Sequence, residues 1–231
     1  MSTDPRNVRT RSSVHVEVHV ELAFLVDTSI DLRQQSLERG IRRVDAVFFT
    51  HTHSDHVNGL DELRSFNWLQ GGPVILFSRR DILDDIAMRF DHCFHPPQEG
   101  AGVPFIQLQP VEEGKPFDFR GVEVTPLPVK HGILDILGWR FDRFAYITDA
   151  SHIPEASMEM LQGVEVLIVN ALRRAPHPTH MNLEQALSVV DRIGPRQAFF
   201  THICHEMEHT ETNATLPPTA QLAHDGLVIE I

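Results

Sequence analysis

The sequence is poor in cysteine, with two among 231 residues. Two cysteines cannot form a disulfide framework, and a chain of this length can bury a core without one, so we expect a cytoplasmic protein. Long hydrophobic runs are also missing, which excludes a transmembrane helix. The stretch before Val14 contains no apolar segment of the kind found in secretory signals.

Basic residues are scarce as well, since 20 Lys and Arg stand against 32 Asp and Glu, for a formal net charge of −12. Such a chain repels a nucleic-acid backbone unless it carries a strong local basic patch. The short basic pairs at 42–43, 79–80 and 173–174 are typical of a solvated surface instead. We therefore expect neither nucleic acid nor a membrane as a partner.

Hydrophobic periodicity predicts strands first, and then strands that alternate with helices, twice over. Strands are predicted at 14–26 (a strand or hairpin), 44–50, 74–77, 104–109, 116–119, 122–127, 145–148, 164–169, 198–201 and 227–231. Helices are predicted at 30–39, 59–69, 79–89, 154–162 and 182–193, and a loop at 91–103. Without a linker or repeat, this order favours one α/β domain over 1–231, with two sheets and helices outside.

Histidine, in contrast, is abundant, with 15 residues, and six consecutive positions from 51 to 56 read HTHSDH. His51 and His53 are two apart, so in an extended segment after a strand they point the same way and can share one metal ion. Asp55 and His56 follow the turn into a helix and can reach a second ion. Four donors in six residues are typical of a metal site, because imidazole suits Zn, Fe, Mn or Ni and a carboxylate adds a hard oxygen.

Three further candidate ligands follow predicted strands, which is where sheet proteins collect their site residues. His131 follows the strand-like segment 122–129, Asp149 follows 145–148, and His202 follows 198–201. Together with the first motif they supply seven ligands, which is enough for two ions.

The HTHSDH run, followed in order by His131, Asp149 and His202, resembles the metallo-β-lactamase superfamily over nearly the whole chain. The resemblance implies a four-layer αββα sandwich and two divalent metal ions per chain, with manganese and zinc as the first candidates. One ion would be held by His51, His53 and His131, the other by Asp55, His56 and His202, and both by Asp149. The lactamases that use a cysteine ligand carry it at the position of Asp149, so the resemblance points to phosphoesters or thioesters rather than β-lactams.

Other segments look most similar to the cyclic-phosphate phosphodiesterase family of phosphonate utilisation, which opens phosphoribosyl 1,2-cyclic phosphate. These segments are STDPRN (2–7), DTSIDLR (27–33), GLDELR (59–64) and HPTHMNLE (177–184). The resemblance implies that His180 binds the substrate phosphate or protonates the leaving oxygen, and that Asp55 both ligates a metal and orients the attacking water. The expected partner is a small phosphodiester.

Three supporting expectations concern other residues. Asp27 is expected to support the metal loop through hydrogen bonds, and His177 to be structural. Relatives of this type carry a first strand and a C-x-C-x-x-C cluster ahead of the STDPRN segment, whereas Ser2 here follows Met1 directly. The resemblance therefore leaves open whether the first strand and its sheet partner are present, and we expect no cysteine-type structural zinc at His205. A homodimer is also left open.

Three rival functions share part of this pattern. A ribonuclease of the tRNA 3′-processing type has the same histidine motif, but the acidic balance argues against it. A thioesterase or glyoxalase-like hydrolase usually has a C-terminal helical substrate domain, and the short stretch after His202 leaves no room for one. A non-catalytic metal-binding domain would not need the complete ligand set.

Overall fold

Two β-sheets organise the chain, and each lies in its own compact unit. The computed structural model describes residues 2–96, 98, 100 and 102–231. We call Arg11–Glu112 the five-stranded unit, and Glu113–Ile231 together with the N-terminal residues up to Thr10 the seven-stranded unit. The α/β class with two sheets is confirmed, while the single domain over 1–231 stays a prediction.

The five-stranded unit has the sheet order β1-β2-β3-β4-β5, in which β1 and β2 form an antiparallel hairpin and the later pairs are parallel. Its strands are β1 (Val14–His19), β2 (Leu22–Val26), β3 (Ala46–Phe48), β4 (Val74–Ser78) and β5 (Ile106–Pro110). Its helices are α1 (Leu32–Arg39), α2 (Ser54–Val57), α3 (Leu63–Gln70), α4 (Arg80–Arg89) and α5 (Asp91–Phe94), with a 3₁₀ turn at Leu60–Glu62.

The three inner strands of this unit, β2, β3 and β4, are buried apolar runs, as strands with two covered faces require. β2 and β3 are buried throughout. On one face the rings of Phe24, Phe48 and Phe77 pack in a row, with centroids 5.1 and 4.9 Å apart. Burial of these large side chains fixes the carboxyl ends of β2 and β3 beside each other.

The seven-stranded unit has the sheet order β12-β11-β10-β9-β8-β7-β6. Its strands are β6 (Phe117–Phe119), β7 (Val122–His131), β8 (Leu134–Phe141), β9 (Phe144–Ile147), β10 (Val166–Asn170), β11 (Gln197–Thr201) and β12 (Ala220–Leu222). Its helices are α6 (Glu155–Met160), α7 (Leu183–Ile193) and α8 (His209–Asn213), with a 3₁₀ turn at Pro5–Asn7. Strands β9 to β12 run parallel, so their carboxyl ends meet at one edge of the sheet.

Helix α7 begins and ends where the sequence predicts. The Asn182 side chain accepts a hydrogen bond from the Gln185 backbone N–H, and the Gln185 side chain accepts one from the Asn182 N–H, which is a capping box. Gly194 ends the helix in the left-handed conformation, with φ of 65°. This cap sets the position of the segment just before it, which carries His180.

The structure corrects three predicted elements. The segment 227–231 is not a strand, because Val228 and Ile231 are exposed, and Ala220–Leu222 pairs with β11 instead. Within the predicted loop 91–103, Asp91–Phe94 forms a helix, while residues 97, 99 and 101 lie outside the described part of the chain. Strand β7 runs on to His131 and pairs with β8, a strand that the sequence did not indicate. β7 was predicted in part, at 122–127, despite Pro126, whereas Gly138 interrupts β8, because glycine inside a run weakens the signal of a strand.

The segment that precedes β1 is anchored within the seven-stranded unit. The Arg9 guanidinium donates to the backbone carbonyls of Cys204 (3.1 Å) and Met207 (2.8 Å). The Asn7 amide donates to Glu208 at 2.6 Å. Asn7, the last residue of the STDPRN segment, and the nearby Arg9 therefore connect the N-terminal segment to the residues that follow His202. Among the described residues no helix has the length and apolarity that a bilayer crossing requires.

We expect Gly59→Ala to destabilise the five-stranded unit. A Cβ at Gly59 would lie 2.1 Å from the Ser29 carbonyl oxygen and 2.9 Å from the Leu32 Cβ, so backbone must move. Overpacking of this kind costs about 1–3 kcal/mol, which lowers the Tm of a chain of this size by about 2–12 °C. Thermal unfolding followed by circular dichroism measures the change. Gly72→Ala is the matched control, because its added Cβ meets nothing within 4 Å; equal Tm values for both variants would contradict this packing.

Candidate metal centre

A buried carboxylate lies at the base of the histidine run in the five-stranded unit. Asp27 follows β2 and adopts a left-handed conformation, with φ of 62°. Its carboxylate accepts hydrogen bonds of 2.8 Å from the Thr50 N–H, the Thr50 hydroxyl and the His56 Nδ1. The expected supporting role of Asp27 therefore has a structural basis: it connects the end of β2 to the loop after β3 and to α2.

The Asp27 carboxylate is fully buried, and its immediate neighbours are polar. Burial raises the pKa of Asp27, whereas His56 and Thr50 act in the opposite direction. A buried charge is tolerated only where it is paired and hydrogen-bonded, and here three donors converge on it. Asp27 is thus a fixed anchor for the ring of His56.

These hydrogen bonds also select the tautomers of two histidines. The Thr50 hydroxyl donates to Asp27, so it accepts from His51 Nδ1, which lies 2.9 Å away. His56 donates from Nδ1 to Asp27. Both rings therefore keep the lone pair on Nε2, which is the form that binds a metal.

The four predicted ligands of this unit lie together. The ring of His51 lies 4.5 Å from that of His53 and 4.3 Å from that of His56, measured between centroids. An Asp55 carboxylate oxygen is 3.7 Å from His56 Nε2 and 3.5 Å from a guanidinium nitrogen of Arg11. Imidazole nitrogens with one carboxylate form a donor set that suits a borderline divalent ion.

The seven-stranded unit collects its candidate ligands at the ends of parallel strands. Asp149 follows β9 and His202 follows β11, and both have left-handed backbones, with φ of 57° and 52°. Non-glycine residues rarely adopt this conformation, and it concentrates at functional sites. His202 Nε2 lies 3.2 Å from one Asp149 oxygen, and His180 Nε2 lies 3.3 Å from the other.

The end of the intervening strand β10 fixes the loop that carries Asp149. The Asn170 amide donates to the Ala150 carbonyl at 3.0 Å and accepts from the Ala150 N–H at 2.8 Å. The same carbonyl of Ala150 accepts from the Met181 N–H at 2.8 Å, which brings the segment of His180 to this loop. The buried Asn170 amide thus holds the loop of Asp149, and this loop in turn holds the segment of His180.

A chain of histidines surrounds Asp149. His131, the last residue of β7, donates from Nδ1 to the Thr179 carbonyl at 2.7 Å and so keeps its lone pair on Nε2. His180 Nδ1 lies 3.2 Å from His177 Nδ1. Burial, and secondarily the charges of His180 and Arg173, lower the pKa of His177, which favours its neutral ring. His177 therefore contacts His180 directly, a contact that its predicted structural role did not include.

Each predicted site residue thus has a place in one of two sets. The five-stranded unit brings together His51, His53, Asp55 and His56, and the seven-stranded unit brings together His131, Asp149, His180 and His202. Their union in one dinuclear centre stays a prediction. Sequence reasoning missed Thr50, Asn170 and Thr179, because a hydroxyl, an amide or a carbonyl that holds a ligand through one hydrogen bond leaves no spacing signal.

We expect Asp27→Asn to weaken metal binding without unfolding the chain. The amide keeps the shape of the carboxylate but removes the negative partner of His56, and loss of such a partner typically costs about 10–100-fold in metal affinity. Competition between the protein and a chromogenic chelator measures the Kd for Zn²⁺. Asp84→Asn, at an exposed position of α4 in the same unit, is the control; an unchanged Kd in Asp27→Asn would contradict the supporting role.

The chain is similar to known proteins over most of its length. The family model for the beta-lactamase superfamily domain matches residues 23–203, which include all seven candidate ligands. The crystal structure of a new diphosphatase from the PhnP family superposes with a TM-score of 0.89 and 39% identity, covering 98% of this chain and 85% of that one.

Two curated relatives extend the comparison. The octanoyltransferase of Porphyromonas gingivalis is 35% identical over 228 residues, which is 98% of this chain but 46% of that protein. The chain thus spans about half the length of this relative. The ribonuclease Z of Mycobacterium sp. (strain KMS) is 25% identical over 213 residues, covering 78% of this chain and 73% of that protein. The predicted superfamily and hydrolase class are confirmed: the chain belongs to the metallo-β-lactamase superfamily, as a hydrolase close to the PhnP family.

Proposed function

We propose that this protein is a dinuclear metal-dependent phosphodiesterase of small cyclic phosphodiesters, with phosphoribosyl 1,2-cyclic phosphate as the first candidate. The observation that carries the proposal is the locking of His51, His56 and His131 through Nδ1, which directs their Nε2 lone pairs to metal. The likeness to a diphosphatase of the PhnP family supports chemistry at phosphorus.

The donor chemistry fits two divalent ions. In this proposal His51, His53 and His131 would hold one ion, Asp55, His56 and His202 would hold the other, and Asp149 would be the seventh ligand. Nitrogen and oxygen donors of this kind accept manganese or zinc. When bound, such a pair lowers the pKa of water and neutralises charge on a phosphoryl group.

The side chains around the ions divide the remaining work. Asp55 carries a carboxylate that can orient water, and Arg11 lies 3.5 Å from it. Arg11 is therefore placed to meet an anionic substrate at the edge of the five-stranded unit, since a guanidinium binds phosphate oxygens in a bidentate manner.

His180 is the proposed proton donor. Its Nε2 faces an Asp149 oxygen at 3.3 Å, and its Nδ1 lies between the Thr179 hydroxyl at 3.0 Å and His177 Nδ1 at 3.2 Å. A charged imidazolium would donate from Nδ1 to neutral His177 and present its Nε2 proton beside Asp149. From there the proton can pass to the alkoxide that leaves phosphorus when the ring opens.

A diphosphatase is the second candidate function. The relative with a TM-score of 0.89 carries that activity in its name, and the same donor set suits attack on a phosphoanhydride. The leaving group distinguishes the two reactions: an alkoxide needs the proton of His180, whereas a phosphate leaves without help. The net charge of −12 disfavours ribonuclease activity on a polyanion.

We further propose that the partner is a small molecule and that the protein acts in the cytoplasm. The acidic balance of the chain supports the first point, and the two cysteines, both free, support the second. The proposed reaction is compatible with a monomer and with a homodimer, and the molar mass from analytical ultracentrifugation distinguishes the two.

The substrate class is tested with three phosphoesters at matched concentration, in Mn²⁺ and in Zn²⁺. These are phosphoribosyl 1,2-cyclic phosphate, a dinucleoside diphosphate and a precursor tRNA with a 3′ trailer. We expect the cyclic phosphate to give the highest kcat/KM. A higher value for the diphosphate selects the second candidate, and salt-sensitive cleavage of the tRNA selects the ribonuclease.

We expect His53→Ala to remove hydrolysis of the preferred substrate while the fold persists. Loss of one ligand disturbs an ion that supplies several kcal/mol to the transition state, so kcat falls by about 10³-fold or more. Initial rates with bis(p-nitrophenyl) phosphate, together with circular dichroism, test this. His95→Ala removes an exposed histidine of the same unit and is the control; undiminished turnover in His53→Ala would refute the metal assignment.

His180→Ala should lower kcat by about 10²–10⁴-fold, as expected for loss of a general acid, and leave the metal content unchanged. Substrates with a good leaving group, such as p-nitrophenolate, should lose less than substrates with an alkoxide. His177→Ala is the comparison, since it removes a neighbour of His180 and should have a smaller effect. If His180→Ala loses a metal ion, His180 is a ligand and the acid assignment is wrong.

A further inference from the structure

A second group of metal-binding side chains lies in the five-stranded unit, and no step of the proposed reaction uses it. Asp61 belongs to the 3₁₀ turn Leu60–Glu62, and His92 and Cys93 are consecutive residues of α5. His92 Nε2 lies 2.9 Å from Asp61 Oδ1, Cys93 Sγ lies 3.3 Å from the same oxygen, and the sulfur and nitrogen are 3.4 Å apart. Three donors of different hardness thus meet at one point.

We propose that Asp61, His92 and Cys93 bind a single borderline divalent ion, Zn²⁺ or a similar transition metal, at a site separate from the HTHSDH run. Tetrahedral zinc, with bonds of about 2.0 Å to oxygen or nitrogen and about 2.3 Å to sulfur, places these ligand atoms about 3.3–3.6 Å apart. The observed separations need to open by no more than about 0.5 Å to reach that range. The nitrogen, oxygen and sulfur donors are those that zinc takes in proteins.

The surroundings support a site that is anchored on one side and open on the other. Cys93 is buried, with 6% of its surface exposed, and packs in the apolar core of this unit. This packing restricts the movement of its side chain. The side chains of His92 and Asp61 are about half exposed, which leaves the fourth position to water. The nearby positive charge of Arg64 opposes a cation, so we expect weaker binding than at a closed four-ligand site.

Binding exchanges a proton for the ion. Without metal, burial and then the hydrogen bond to Asp61 raise the pKa of the Cys93 thiol to about 12, so the thiol keeps its proton and donates a hydrogen bond to Asp61. The ion takes the sulfur as thiolate and the thiol proton passes to solvent. His92 moves its ring proton from Nε2 to Nδ1, since only the free lone pair on Nε2 can bind.

Cobalt spectroscopy of the full chain tests the site directly. Co²⁺ bound to a thiolate gives a near-ultraviolet charge-transfer band, whereas the histidines and aspartates of the HTHSDH centre contain no sulfur. We expect the band in the wild-type protein, its loss in Cys93→Ser, and its retention in Cys204→Ser, which removes the other cysteine. Excess Zn²⁺ should abolish the band by displacing Co²⁺.

A second variant, His92→Gln, tests the same site if Cys93→Ser does not fold. His92→Gln changes a half-exposed side chain, and we expect the Co²⁺ concentration at half-maximal absorbance to rise by about 10-fold or more. Absence of the band in folded wild-type protein, or an unchanged midpoint in His92→Gln, would overturn the proposal. A band that survives Cys93→Ser but not Cys204→Ser would also overturn it. Hydrolysis plays no part in the readout, so failure here leaves the proposed function untouched.

Discussion

The carboxylate of Asp27 is the constraint on which the histidine run depends. It is fully buried, and it accepts from Thr50 twice and from His56 once. Through the Thr50 hydroxyl its influence reaches His51 as well. A single acceptor therefore sets the tautomers of two candidate ligands, His51 and His56. This reduces the entropy that metal binding must overcome, because the rings are already ordered.

The same design recurs with different chemistry in the seven-stranded unit. There an amide, Asn170, holds the loop of Asp149, and a backbone carbonyl, that of Thr179, orients His131. Left-handed backbones at Asp27, Asp149 and His202 turn the chain sharply just past a strand. Each such turn carries a strain of about 1–3 kcal/mol. The packed strands beneath supply the rigidity that keeps these residues in place.

The two proposed metal sites differ in the chemistry that they favour. Imidazole and carboxylate at the HTHSDH centre form a hard to borderline set, which suits polarisation of a phosphoryl group. A thiolate at Cys93 would make the second site softer and less suited to activating water. Its location, between a 3₁₀ turn and the short helix α5, favours a role in holding these two segments together.

Most strands and helices, the cap of α7 at Asn182 and the four candidate ligands of the HTHSDH run could be predicted from the sequence, because they depend on local patterns. His131, Asp149 and His202 were predicted from their places after strands together with the resemblance to a family. Hydrophobic periodicity, capping residues and ligand spacing each depend on residues a few positions apart, so they can be recognised in the sequence without the structure. Strand β8 escaped prediction because Gly138 interrupts its apolar run, and only its pairing with β7 makes it a strand. β12 replaced the expected C-terminal strand because the choice depends on which segment reaches β11. Thr50, Asn170 and Thr179 were likewise beyond the sequence, as was the meeting of Asp61 with His92 and Cys93, some 31 and 32 positions away. Those partners are chosen by tertiary structure, because a hydrogen bond between distant residues depends on where packed strands end rather than on their spacing in the chain.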